Sequence, residues 1–135
     1  GRVWSAPAGS ALAVSVLVRH SAPSPSSEPE PRRLGWLPLV AGVAMVRAAR
    51  ALGVLGAGLK WPNDVLFDGR KLGGILIEVQ GDALGPATAV IGIGLNVRMP
   101  AAWRDRIDQS VADAVEAGAG SDRNRLLAAV LARYP

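Results

Sequence analysis

The stretch LKWPNDVLFDGRKLGGILIEV, residues 59–79, decides how the chain is organised. Leu59 to Trp61 reads as a short strand that stops at Pro62, because proline has no N–H to give a ladder and suits a strand end. Val65 to Phe67 and Leu72 to Val79 flank Asp68-Gly69, the dipeptide favoured in a tight type I′ hairpin. Side chains alternate along a strand, so Lys60 and Pro62 are expected on one face and Trp61 on the other, anchored in the core.

Outward from this hairpin, Thr88 to Val97 is a further strand. Gly92, Gly94 and Asn96 share one of its faces, while Ile91, Ile93, Leu95 and Val97 share the other. Ala11 to Arg19 also alternates, with Leu12, Val14, Val16 and Val18 opposite Ala11, Ala13 and Ser15. Together with Gly73-Gly74, three strands carry trimmed side chains. Glycine inside a strand marks a close approach to the backbone. Two kinds of approach fit: a flat or extended small molecule lying in a slot, or a closely packed helix. The sequence does not choose between them.

The remaining segments complete one domain. Leu34 to Leu52 is apolar at nearly every position except Arg47 and Arg50, which predicts a largely buried helix with Pro38 in its first turn and Gly53 at its end. Ser21 to Arg33 holds four prolines and four serines and reads as a flexible insert. Gly81 to Pro86 is a Gly-rich turn. Ala102 to Ala117 is a weak helical region. Ser121 or Asp122 can cap a last helix carrying Leu126, Leu127, Val130, Leu131 and Tyr134, which runs to the chain end without a stop signal. The order strand, helix, hairpin, strand, helix predicts an α/β (α+β) domain, a mixed sheet with helices packed on at least one face.

Composition narrows the function. Of 135 residues, half are apolar and 19% charged, with no cysteine and one histidine, so neither a disulfide scaffold nor a zinc site is available. The longest uncharged run, Leu34 to Val46, is too short to span a bilayer, and no secretory leader is visible, so a cytoplasmic protein is expected. The net charge of +4 is spread over scattered arginines rather than a basic stripe with aromatics, which disfavours nucleic acid as a partner. Thirteen basic residues are arginine and only two are lysine, and both lysines, Lys60 and Lys71, fall in the opening stretch.

Lys60 facing the trimmed backbone would be a point charge for a carboxylate or phosphate; the plainer reading is a lysine guarding a sheet edge. Asn63-Asp64 suits a turn that bonds its own backbone. Glu78 reads as a solvent-facing residue and His20 as a surface one. In Gly1-Arg2-Val3-Trp4, Arg2 could clamp a phosphate and Trp4 could stack on a base. No P-loop or dinucleotide fingerprint is present.

Lys60–Asp64 (KWPND), Arg70–Leu76 (RKLGGIL) with Glu78, and Val90–Val97 (VIGIGLNV), in that order and spacing, resemble the catalytic domain of biotin protein ligases. The opening GRVWSAPAGSALAVSVLVR is similar to the family segment leading from an arginine- and glycine-rich ligand loop into the next strand. The resemblance implies a fold shared with lipoate-attaching enzymes and, distantly, class II aminoacyl-tRNA synthetases. It implies ATP and biotin as substrates, Mg²⁺ assisting, and a biotin carboxyl carrier domain as partner, with biotinyl-5′-AMP as the intermediate. By the same resemblance Lys60 bridges the biotin carboxylate and the α-phosphate. Gly73, Gly74, Gly92 and Gly94 are the bare backbone beside biotin. Arg2 belongs to a closing loop, Trp4 packs on adenine, Asn96 reads its edge, and Asn63 and Asp64 lie near the nucleotide. Lys71 is either a secondary phosphate contact or an ordinary hairpin lysine. No residue is assigned to metal. The family's ureido-binding segment would lie upstream of residue 1 and its small SH3-like barrel downstream, so residues 1–135 are expected to be the central part of the catalytic domain. A lipoate or octanoyl ligase, or a binding fragment without turnover, are the alternatives.

Overall fold

The computed structural model describes residues 4–20, 35–81 and 87–133. Arg2, the Ser21–Arg33 insert and most of the Gly81–Pro86 turn lie outside them, as does Tyr134. Five strands form one sheet: β1 (Ala11–His20), β2 (Ala57–Lys60), β3 (Asp64–Phe67), β4 (Arg70–Gly81) and β5 (Ala87–Asn96), in the order β1-β5-β4-β3-β2. Every neighbouring pair is antiparallel. The expected mixed sheet therefore takes a particular form. Its one parallel pairing among the described residues is a bridge from Val111 to Lys71. The Asp68-Gly69 turn joins β3 and β4 with both φ angles positive, +50° and +69°, as a type I′ hairpin requires.

Among the described residues the helices, in chain order, are α1 (Leu37–Ala51), a single turn α2 (Ala101–Arg104) and α3 (Arg123–Leu131). Pro38 sits in the first turn of α1, and Gly53, at φ +99°, follows its end. Asp122 caps α3, its carboxylate accepting the N–H groups of Asn124 and Arg125. The region from Ala102 to Ala117 departs from its expected helix: only its first three residues, at the end of α2, are helical, and the backbone of residues 110–115 instead bonds to the strands. Lys71 N–H donates to the Ser110 carbonyl, Ala112 N–H to Lys71, and Ala114 N–H to Asn96. Sheet ends with unpaired donors and acceptors compete for this backbone more strongly than a weak helical pattern can hold it.

The core lies on one face of the sheet. Met45, Ala41 and Ala48 of α1 and Leu126 and Val130 of α3 pack with Val65, Leu72, Ile75, Ile91, Ile93 and Leu95. Gly73 belongs to this covered face. A Cβ there would stand 2.6 Å from the Gly94 carbonyl oxygen and 3.0 Å from Met45 Cε, so the glycine is needed for packing of α1 against the sheet. Gly73 thus lies on the face that α1 covers, not on the open face with Gly74, Gly92 and Gly94. The expectation that Trp61 anchors in the core also fails: β2 ends at Lys60, the alternation stops there, and Trp61 is 67% exposed in the turn that follows.

Candidate active site

On the opposite sheet face, where the trimmed residues meet, neither α1 nor α3 packs. The register aligns Lys60 with Asp64, Asp64 with Gly74, Gly74 with Gly94, and Gly94 with Ala13. Directly paired residues of antiparallel strands project to the same side, so these five residues form one row across all five strands. Gly92, paired with Leu76 and Ser15, begins the next row on that face. The sequence left a ligand slot and a packed helix open for these glycines; α1 and α3 pack on the other face.

Two side chains occupy the bare backbone. Atoms Cη2, Cζ2 and Cδ2 of Trp4 come within 3.0–3.1 Å of where a Cβ of Gly94 would be, so the indole lies flat on this glycine. At Gly74 the corresponding point is 3.3 Å from Lys71 Cε and 3.4 Å from Lys71 Nζ. Lys71 Nζ also pairs with Asp64 Oδ1 at 2.8 Å. The structure therefore gives Asp64 a partner that the sequence did not reveal. Asp64 faces Lys60 across the β2–β3 turn, yet Lys60 is exposed and makes no ion pair among the described residues. Asn63 holds that turn against β4: its carbonyl accepts the Ile75 N–H at 2.9 Å and its amide donates to the Ile75 carbonyl at 3.1 Å. This fixes where Lys60 leaves the sheet.

Asn96, 3% exposed at the end of β5, donates from Nδ2 to the Lys71 carbonyl at 3.1 Å and to the Ala112 carbonyl at 3.0 Å. Both donor hydrogens are thus used on backbone, and among the described residues its Oδ1 is the end left to accept. Trp4, Lys71 and Asn96 line a cleft of about 380 Å³, whose other wall comes from Arg106–Gln109 and Val111. That volume lies within the range of small-molecule sites, and its lining of ring, amide and cation suits a base carrying a phosphate.

The sequence missed the wall segment and the network that holds it. Buried Asp113 accepts from Met99 N–H at 2.9 Å, Glu116 N–H at 2.8 Å and Arg104 Nη2 at 2.5 Å. Arg104 and Arg70 both reach Glu116, joining the wall to the β3–β4 hairpin. One signal was available: Asp113 is a lone charge inside Val-Ala-Asp-Ala-Val, residues 111–115, and a charge buried in an apolar run needs partners. The hydrogen bond from Arg70, with help from Arg104 and against the effect of burial, holds the Glu116 carboxyl below the usual glutamate range. A depressed folded-state value stabilises the protein above the unfolded value and is lost as pH falls through the folded one. Glu116→Gln is therefore expected to lower the melting temperature at neutral pH. That difference should shrink as pH is taken from about 5 to about 3. Melting curves across this range check it, and an unchanged gap at the acid end would assign the effect to something other than charge.

Comparison with known proteins decides the family. The sequence model of the Biotin/lipoate A/B protein ligase family matches residues 1–96, more than half of the chain. The chain belongs to this family. Within it, the chain is 37% identical over 131 residues to the bifunctional ligase/repressor BirA of Salmonella typhimurium, covering 97% of this chain and 39% of that protein. It is 36% identical over 135 residues to the biotin–[acetyl-CoA-carboxylase] ligase of Mycobacterium tuberculosis, covering 97% and 46%. The biotin protein ligase of Aquifex aeolicus in complex with biotin and ATP superposes with a TM-score of 0.66 at 29% identity, over 93% of this chain and 48% of that one. The chain thus spans less than half the length of these relatives. The α+β fold, an antiparallel sheet with helices on one face, is that of the biotin protein ligases.

Among the described residues no group of three or more His, Cys, Asp or Glu side chains could hold a metal ion. No helix among them is long and apolar enough to cross a membrane.

Proposed function

We propose that the chain is the central part of the catalytic domain of an ATP-dependent biotin protein ligase. The observation that carries this reading is the row from Lys60 to Gly94, with the Trp4 ring at one end and an exposed lysine at the other, in a chain 36% identical to a protein named as a biotin ligase. The chemistry has two steps. A biotin carboxylate oxygen attacks the α-phosphorus of ATP, the bond to the bridging oxygen breaks, and pyrophosphate leaves. The amine of an acceptor lysine on a carboxylase carrier domain then attacks the mixed anhydride; AMP leaves and an amide remains.

The first step brings two anions together. A fixed cation placed where both meet offsets their repulsion and stabilises charge developing on the phosphate. Lys60 is that cation in this reading, oriented by the Asn63 clasp on β4. Trp4 packs on adenine, Asn96 accepts from its amino group through Oδ1, Gly92 leaves backbone open beside the ligand, and Gly94 and Gly74 make room for the Trp4 ring and Lys71 that meet it. By the family resemblance, Arg2 belongs to the loop that closes over the adenylate. Mg²⁺ arrives as part of the substrate MgATP, because magnesium is commonly held by phosphate oxygens, water and few carboxylates. A cytoplasmic location, where ATP is abundant, goes with this reading.

The family also contains lipoate ligases. Their acids differ from biotin in the ring rather than the carboxylate, so a transfer assay separates them. With the full-length gene product, ATP and an acceptor carrier domain, labelled biotin is expected to reach the acceptor lysine while lipoate and octanoate do not. Transfer of lipoate or octanoate instead, or ligand binding without any transfer, would refute the assignment.

A further inference from the structure

We propose that Lys71, held by Asp64 over the bare backbone of Gly74, is a second phosphate-binding residue, standing between the Trp4 ring and Lys60. The inference rests on the biotin ligase reading for the identity of the phosphate, and on geometry for everything else.

Position comes first. Along the row, the indole of Trp4 lies on Gly94 of β5, the ammonium of Lys71 lies on Gly74 of the adjoining β4, and Lys60 leaves the edge strand β2. Neighbouring strands are about 4.8 Å apart, so Lys71 is about one strand from the ring and Lys60 about three. A ligand with its base on Trp4 and its phosphates running toward Lys60 crosses Lys71 on the way. Lys71 also lines the cleft together with Trp4 and Asn96, so it borders the space that the base-binding groups line.

Presentation comes next. A lysine side chain is flexible, and an unrestrained one contributes little to a site. Here a carboxylate fixes it: Asp64 Oδ1 is 2.8 Å from Nζ, and the Lys71 side chain is only 19% exposed. One oxygen engages one of three ammonium hydrogens, leaving two donors for phosphate. The absence of a side chain at Gly74 is what lets the stem lie across β4, since a Cβ there would stand 3.3 Å from Lys71 Cε. The backbone of Lys71 is pinned on both sides, its N–H to Ser110 and its carbonyl by Ala112 N–H and Asn96 Nδ2. A lysine that served only to close the hairpin would need neither the cleared glycine nor the amide of Asn96 behind it.

The test separates phosphate binding from structural support by comparing ATP with adenosine, which shares the base and ribose but carries no phosphate. In calorimetric titrations of the full-length gene product with magnesium present, Lys71→Met is expected to weaken ATP about tenfold, as for loss of a hydrogen bond to a charged group, with adenosine within about twofold of wild type. Lys71→Arg, which keeps a cation over Gly74, should recover part of the loss. Equal weakening of ATP and adenosine would mean that Lys71 only supports the hairpin, and unchanged ATP affinity would mean that it does not meet phosphate; either overturns the proposal. Failure of the underlying reading shows separately, as a wild-type protein that transfers no biotin while its ATP-to-adenosine preference still depends on Lys71.

Discussion

Lys60→Ala is expected to abolish formation of biotinyl-adenylate. The residue is the one open-face lysine without a carboxylate partner among the described residues, so its full charge is available to a ligand. Removing one preorganised electrostatic contact to a developing charge costs on the order of 10²–10³ in rate. The loss at Lys60 should be at least that large, because in the proposed mechanism the side chain meets both reacting anions. Folding should be preserved. An exposed lysine at the end of β2 contributes little to packing, and such surface changes usually stay within about 0.5 kcal/mol. Biotin-dependent release of pyrophosphate measures the effect, with a melting curve as control. Release at the wild-type rate from a folded variant would remove Lys60 from the chemistry and with it the proposed mechanism.

Asp113→Ala is expected to cause the largest loss of stability, about 3 kcal/mol. The carboxylate is 3% exposed and satisfies the N–H groups of Met99 and Glu116 together with the Arg104 guanidinium. Alanine would leave the buried Met99 N–H without its acceptor and Arg104 without its shortest contact, and groups stranded in this way account for most of the cost. In a domain of this size the melting temperature should fall by about 10 °C. Asp113→Asn keeps an acceptor oxygen and should fall between the two. A functional effect should follow, since the same segment supplies the cleft wall from Arg106 to Gln109: ATP affinity should drop in the alanine variant even well below its melting temperature. A melting temperature within about 2 °C of wild type would show that the network is dispensable.

Much of this architecture is legible locally. The Asp68-Gly69 turn, the end of α1 at Gly53 and the Asp122 cap are set by neighbouring residues, and turn and cap chemistry is short-range. Alternation along β1 and β5 separates a core face from a trimmed one, because it depends only on the two-residue period of a strand. Trp61 shows the limit. Alternation predicts its direction only while the strand continues, and β2 ends one residue earlier. Gly73 and Gly74 show another: adjacent glycines look alike in sequence, yet they point to opposite faces and serve α1 and Lys71 respectively.

What the sequence determined by itself, then, is the five strands, the helices α1 and α3, and the family through its KWPND, RKLGGIL and VIGIGLN segments, with Lys60 as its proposed cation. Only the tertiary structure decided the strand order, the row joining Lys60 to Gly94, the grip of Asp64 on Lys71, and the wall held by Asp113. The division has one physical cause. Turns, caps and periodicity act over a few residues and leave local marks, whereas register and ion pairing join groups far apart in the chain, and no local preference specifies which distant partner a strand edge or a buried charge will take.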